Sequence, residues 1–255
     1  MFLKGKIAVV TGGASGIGLA LAVRFIKEGA TVVISDINEK AVNEKAIEIG
    51  ATAIVANVAK EDDVKALVEK ATDQFGQIDL FVSNAGIAKF GDPFSPEGDW
   101  DFSWHVNVMS QVYAAKYVLP QMIARGDGYL LNTASAAGLL VEFHSAIYST
   151  TKHAAVGFAE WIAATYKGNG IKVSVLCPSA VKTPMAAGVA AMQEGALEPE
   201  EVAVAVVKAI EKEQFMISTH ASIWPLYSVK SQDYDKYIDL LVERRAYKLA
   251  LDNKE

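Results

Sequence analysis

The 255-residue chain contains a single cysteine, Cys177, so no internal disulfide can form. This excludes a secreted, disulfide-stapled scaffold and leads us to expect a reducing, cytoplasmic setting. Arginine is scarce too: Arg24, Arg125, Arg244 and Arg245 are the whole supply, in a chain of formal charge −6 and pI near 5.3. That balance offers no clustered basic surface for a nucleic-acid backbone. The N-terminal stretch has no apolar signal-peptide core. No run approaches the roughly 18–20 apolar residues of a membrane span, so no membrane partner is expected. The four histidines (His105, His144, His153, His220) lack ligand spacing, and no metal is expected. Neither a G-x-S-x-G elbow nor a G-x-x-x-x-G-K-[ST] loop occurs, which disfavours hydrolase and ATPase chemistry.

What is present is apolar sequence: 51% hydrophobic against 21% charged residues, with a mean hydropathy of +0.20. Disorder is excluded, because disordered chains lack the apolar surface that offsets ordering entropy. Short β-branched runs recur at Ile7–Val10, Thr31–Ser35, Thr52–Val55, Leu80–Ser83, Tyr129–Asn132, Lys172–Leu176 and Phe215–Ser218. Between them lie segments of helical period, such as Val64–Phe75, with Val64, Leu67, Val68 and Ala71 on one stripe. Continuous apolar strands alternating with helices predict an α/β protein built on a single Rossmann-type, doubly wound parallel sheet of about seven strands. Helices should cover both faces. With no linker and no repeat, residues 1–255 read as one domain. The tail, 219–255, reads as a loop and then a surface helix from about Gln232 to Ala250. The helices expected over Phe102–Arg125 and Ala146–Lys167 are apolar around much of their circumference, which points to subunit contacts.

The first strand runs into Thr11-Gly12-Gly13-Ala14-Ser15-Gly16-Ile17-Gly18, and a helix follows. Glycines there let a pyrophosphate approach the backbone, and the helix N-terminus supplies amide donors and a positive dipole. Gly12, Ser15, Gly16, Ile17 and Gly18 are therefore candidate cofactor contacts. The second strand ends at Asp36, 18 residues after Gly18, where a carboxylate can accept both adenosine ribose hydroxyls and would repel a 2′-phosphate. No arginine stands at Gly13 or Ile37, so NAD is expected rather than NADP. The alternative is that Asp36 caps the next helix. Strand carboxyl ends also bring Asn57-Val58 and Asn84-Ala85-Gly86 to the ligand edge, with Asn57 facing the adenine; each alone is as compatible with a turn.

Tyr148 and Lys152 stand at i and i+4 on a helix starting near Ala146. Composition alone supplies about 0.7 such pairs by chance, so the pair is uninformative in isolation. Its company is not. Gly12-x-x-x-Gly16-x-Gly18, Asn84-Ala85-Gly86, Asn107, Ser135, Tyr148-x-x-x-Lys152, Pro178 and Thr183 stand together in an order and spacing that closely resemble the short-chain dehydrogenase/reductase family. The resemblance spans essentially the whole chain. It implies reversible hydride transfer between a nicotinamide and an alcohol or carbonyl, in a homotetramer or homodimer.

Alcohol oxidation needs a base within hydrogen-bond reach of the oxygen, and a free phenol near pKa 10 is a poor one. A neighbouring ammonium favours phenolate. The resemblance accordingly implies Tyr148 as acid/base, Lys152 as its tuning group and nicotinamide-ribose ligand, and Ser135 as donor to the substrate oxygen. It implies that Asn107 holds a relay water, and that Pro178, Val181 and Thr183 meet the carboxamide. Two departures stand out: Ser179 where the family usually has Gly, and Asn57 where Asp is commoner. Cys177 reads as a small buried hydrophobe. A Met-bearing lid over about 184–198 and the candidates Ala137, His144, Met185 and Trp224 suggest an apolar, cyclic or aromatic small-molecule substrate. Two rival readings are a 3-oxoacyl thioester reductase, which would want basic residues at the pocket mouth, and a catalytically silent NAD(H)-sensing regulator, which needs no tuned phenol.

Overall fold

The computed structural model describes residues 1–187 and 195–252, and of 247–252 the backbone alone. Seven strands form one sheet: β1 (Ile7–Thr11), β2 (Thr31–Asp36), β3 (Thr52–Val55), β4 (Leu80–Ser83), β5 (Gly128–Thr133), β6 (Ile171–Leu176) and β7 (Met216–Ile217). Their order is β3-β2-β1-β4-β5-β6-β7, and every pairing is parallel. The connections carry α1 (Gly16–Lys27), α2 (Glu39–Ile49), α3 (Glu61–Phe75), α4 (Glu97–Trp104), α5 (Ser110–Arg125), α6 (Ala146–Tyr166) and α7 (Pro199–Glu211).

Both faces of the sheet are covered, which is why its strands read as unbroken apolar runs. Val9, Val33, Phe81 and Leu130 face one core, against Leu67 of α3, Val118 of α5 and Ala155 and Ile162 of α6. Their neighbours Val10, Ile34, Leu80 and Leu131 face the other, against Leu21 and Phe25 of α1, Val42 of α2 and Val206 and Ile210 of α7. The period of two along each strand divides the two layers. The buried Tyr129 hydroxyl reaches Ser174 Oγ, and burial pushes the phenol up to about 12.

Chain order runs outward from β1 to β3 in one direction and from β4 to β7 in the other. The crevice beyond the carboxyl ends of β1 and β4 is therefore the topological switch point, where ligands bind in open α/β sheets.

Two segments differ from expectation. The helix expected over Phe102–Arg125 begins earlier, as α4, and passes through a π-helical turn at His105–Met109 before α5. The tail is helical sooner than its composition suggests, as α8 (Trp224–Gln232) and α9 (Tyr234–Asp252). Pro225 suits the first turn of α8, where its missing N–H costs nothing. Leu226, Tyr237 and Leu241 then bury against Leu140 and Phe143, contacts that no local pattern announces. Among the described residues no helix is long and apolar enough to cross a membrane.

Candidate active site

At the end of β1 the chain turns through Gly12 and Gly16, both at positive φ (64° and 52°). Gly18 permits the closest approach, because a Cβ there would lie 2.1 Å from the Gly12 carbonyl oxygen. Asn84 locks this turn from β4: its Nδ2 donates to the Thr11 carbonyl (3.0 Å), and its Oδ1 accepts from Thr133 Oγ1 (3.3 Å). Asn84 thus stitches three strand ends together with its side chain. The N-terminus of α1 has no side-chain cap and no acidic residue in its first turn, and Ser15 is exposed there. An uncapped helix start at a sheet's switch point is a ready anion site.

Asp36 turns toward this loop. One carboxylate oxygen accepts the Ala14 amide (3.3 Å), the other the Asn38 amide (3.0 Å). The helix cap is Asn38, whose Oδ1 accepts the Ala41 amide, so Asp36 is not the cap of α2. Ile37 is exposed and Val58 buried. Asn57 spends its Oδ1 on a turn of its own, accepting the Ala59 amide at 3.0 Å.

The candidate catalytic residues converge beyond β5. Ser135 begins a 3₁₀ turn at Ala136–Gly138; its Oγ accepts the Ala137 amide (3.1 Å) and donates to the Pro178 carbonyl (3.4 Å). Gly138 lets that turn press on α6, since a Cβ would lie 2.5 Å from the Lys152 carbonyl oxygen. Ser145 caps α6 by accepting the Tyr148 amide (2.8 Å), while its hydroxyl donates to the Lys89 carbonyl (2.6 Å). The Lys152 ammonium sits 5.6 Å from the Tyr148 ring centroid and donates to the Thr133 carbonyl (3.2 Å).

Tyr148 keeps part of its surface exposed, yet burial of the phenol is the largest influence on it and raises it. A hydrogen bond with Ser135 works the other way, and the Glu142 carboxylate adds to the rise. Lys152 is 3% exposed, and burial brings its ammonium down to about 8.

Asn107 lies in the π-helical turn, fully buried. Its Nδ2 donates to the Ile87 carbonyl (3.0 Å) and to Thr151 Oγ1 (3.1 Å), and its Oδ1 accepts the Ile87 amide (2.9 Å). Ser110 Oγ bonds the Val106 carbonyl (2.6 Å) and Gln111 Nε2 the Asn107 carbonyl (3.2 Å), so two side chains serve carbonyls of the turn. Gly86 faces the gap between Asn107 Oδ1 and Lys152 Nζ, and a Cβ on it would come within 3.3 Å of each. Ala85 packs beside it, with its Cα 2.9 Å from where a Gly12 side chain would project.

Past β6, Pro178 and Val181 are buried and Cys177 fully so; burial pushes the thiol up to about 12, leaving it a hydrophobe. Ser179 is not among the residues at positive φ, so this loop does not need the glycine freedom usual at that position. Thr183 lies over Gly16, its methyl 3.1 Å from where a side chain there would project. The base of the expected lid is paired, with the Lys182 amide donating to the Leu197 carbonyl (2.9 Å) and the Leu197 amide to Ala180 (3.1 Å). Residues 188–194 of that lid lie outside the described residues.

Of the substrate candidates, Ala137 is buried beside Ser135, and His144 is exposed with its ring edge-on to Phe90 at 6.5 Å. Met185 and Trp224 are half exposed, Trp224 against Tyr227. The sequence reading missed Thr133, Gly138, Thr151, Ser110 and Gln111. Each acts through a partner distant in sequence or through a broken helical ladder, which leaves no local signature.

Residues 6–194 match the family model of the short chain dehydrogenases, and the chain belongs to that family of oxidoreductases. It is 35% identical over 239 residues to 1-deoxy-11-beta-hydroxypentalenate dehydrogenase of Streptomyces exfoliatus, spanning 87% of this chain and 85% of that one. Among solved structures, a short chain dehydrogenase/reductase from Burkholderia phymatum in complex with NAD superposes with a TM-score of 0.85 at 28% identity, covering 92% of this chain and 96% of that one. The 3-ketoacyl-(acyl-carrier-protein) reductase of Brucella melitensis complexed with NADH gives a TM-score of 0.80 at 30% identity, covering 85% and 97%.

Proposed function

We propose that the protein is an NAD-dependent dehydrogenase that interconverts a secondary alcohol and a ketone on a mainly apolar, cyclic substrate. The observation that carries this reading is the Ser135–Tyr148–Lys152 cluster at the carboxyl edge of the sheet, beside the uncapped start of α1. The residues fit NAD. The Gly12–Gly18 turn leaves first-turn amides for a pyrophosphate, and Asp36 is aimed at that turn by the Ala14 amide, ready for the ribose hydroxyls. Lys152 is a buried cation with no ion pair among the described residues, suited to sharing its donors with a ribose. Asn57-Val58 on the adenine side, Ala85-Gly86, and Pro178, Val181 and Thr183 on the nicotinamide side complete the proposed contacts. Relatives that match 87% and 92% of this chain over most of their own length support one NAD-binding catalytic domain.

When bound, the nicotinamide supplies the hydride acceptor or donor. Tyr148 takes the proton from the substrate hydroxyl, or returns it, and Ser135 donates a hydrogen bond to the oxygen as its charge changes. Lys152 offsets the phenolate charge against the burial that otherwise raises the phenol. Asn107 Oδ1 and Lys152 Nζ both face Gly86, and a water held between them would carry the proton toward solvent. Exposed Phe102, Trp104 and Trp161 on α4 and α6 support assembly as a homotetramer or homodimer.

The rival thioester reductase is favoured by the likeness to the Brucella enzyme. It wants free cations at the pocket mouth; Lys89, next to the start of α6 through the Ser145 hydroxyl, is paired with Asp99 at 3.1 Å. A panel of apolar secondary alcohols with NAD⁺ and ketones with NADH, followed by NADH absorbance, tests the proposal. Turnover on a ketone or alcohol is expected, with Tyr148→Phe losing it by about 10²–10⁴-fold while NAD⁺ still binds. Substantial residual turnover in that variant overturns the role of Tyr148. Turnover on 3-oxoacyl thioesters alone moves the assignment to the rival, and NAD⁺ binding without any turnover moves it to a sensor.

A further inference from the structure

We propose that His220 is a positioning residue for the nicotinamide side of the site, holding the Pro178–Ser179 peptide plane in the orientation in which its carbonyl accepts the Ala136 amide and the chain leads on to Val181 and Thr183. The inference rests on the reading of the chain as an NAD-dependent enzyme.

The β6–β7 register brings the two segments together. Leu176 pairs with Ile217 and the Cys177 amide donates to the Ile217 carbonyl (2.8 Å), so residues just past β6 run beside residues just past β7. The peptide group joining Pro178 to Ser179 is then gripped on both edges. Its carbonyl accepts the Ala136 amide (2.7 Å) and the Ser135 hydroxyl (3.4 Å). Its N–H, pointing the opposite way as a trans peptide requires, donates to His220 Nδ1 (3.3 Å). One rotation of that plane would break all three bonds. It would also shift Val181 and Thr183, the proposed nicotinamide contacts, whose other anchor is the Leu197 pairing.

For Nδ1 to accept, the ring must be neutral with its proton on Nε2. Nε2 is buried without a hydrogen-bond partner. Burial lowers the imidazole and a backbone hydrogen bond with Ala180 works against it, so the ring stays beside the Pro178–Val181 loop. Thr219 Oγ1 lies 2.9 Å from Nδ1 and fixes the ring alongside the loop. Ser179, where the family usually has glycine, is thereby stabilised by a bond to a side chain 41 residues away.

Three variants test this: His220→Ala removes the acceptor, His220→Asn retains one near Nδ1, and His220→Gln moves it to the Nε2 end of the ring. NAD⁺ dissociation constants come from titration calorimetry, kcat and KM from turnover, and Ser179 amide exchange from the cofactor-free protein. The expected result for His220→Ala is a weakening of NAD⁺ binding by about five- to tenfold, the worth of one lost hydrogen bond. KM for NAD⁺ should rise with it, and the Ser179 amide should exchange faster. His220→Asn is expected to restore all three to within about twofold, and His220→Gln to restore none. Unchanged affinity and unchanged exchange in His220→Ala overturn the proposal, as does His220→Asn failing as badly as His220→Ala. If the wild type itself binds no NAD⁺, the enzyme reading falls and takes this role with it; if the wild type binds and only the variants disagree, the role of His220 alone falls.

Discussion

Gln111 donates its side-chain amide to the main-chain carbonyl of Asn107, four residues back on the π-helical turn. Such turns leave carbonyls without their usual partners, and a buried carbonyl without one is costly. Gln111→Leu keeps the bulk and deletes the donor. Gln111 Oε1 is itself buried without a partner and goes with the substitution, so the expected net loss is at most about 1 kcal/mol, read as a fall in urea midpoint at unchanged slope. A midpoint within error of the wild type would show that the bond adds nothing.

Glycine positions predict opposite signs at two sites. Gly18→Ala places a methyl 2.1 Å from the Gly12 carbonyl oxygen, a backbone atom that cannot step aside. We expect a loss of more than about 3 kcal/mol, or failure to fold. Gly157, inside α6, has open space where its Cβ would sit. Gly157→Ala should raise stability by about 0.5–1 kcal/mol through helix propensity. Thermal melts of both variants check the pair, and equal effects would refute the packing account.

The carboxylate of Asp36 is aimed at the glycine turn by the Ala14 amide. Asp36→Ala is expected to weaken NAD⁺ binding by at least about tenfold and to abolish discrimination against NADP⁺. Calorimetric titration with both nucleotides decides it. Tighter NADP⁺ binding by the wild type would end the proposed ribose role.

Lys152 carries a pH dependence of stability. Burial brings its ammonium from 10.5 down to about 8, so between those values the unfolded chain binds more protons than the folded one. Its burial therefore costs stability below about pH 8, and the cost is relieved as pH rises toward 10.5. Lys152→Met should be the more stable protein at pH 7. The gap should close between pH 8 and 10 by at most about 1.4 kcal/mol per pH unit. Urea unfolding across that range checks the sign, and a gap that widens with pH would contradict it.

Much of this protein was legible in one dimension because its physics is local. Continuous apolar strands follow from a sheet covered on both faces, and all seven appeared within two residues of their expected ends. The tight turn at Gly12–Gly18, Asp36 at the end of β2, and Tyr148 and Lys152 one helical turn apart also depend on near neighbours. The π-helical turn was not legible, because it is a broken ladder repaired by Ser110 and Gln111 rather than a composition. The early start of α8 was hidden for a similar reason: its support is Leu140 and Phe143, far away in the chain.

Residue types and spacing alone determined the strand–helix alternation, the glycine-turn geometry and the pairing of a phenol with an ammonium. Tertiary structure decided what those groups face. Thr133 accepts from Lys152 across 19 residues, Asn84 ties β4 to β1 across 73, and His220 reaches Ser179 across 41. These bonds exist only because parallel strands bring remote carboxyl ends to one edge, and no residue's immediate neighbours specify which remote backbone group will arrive there.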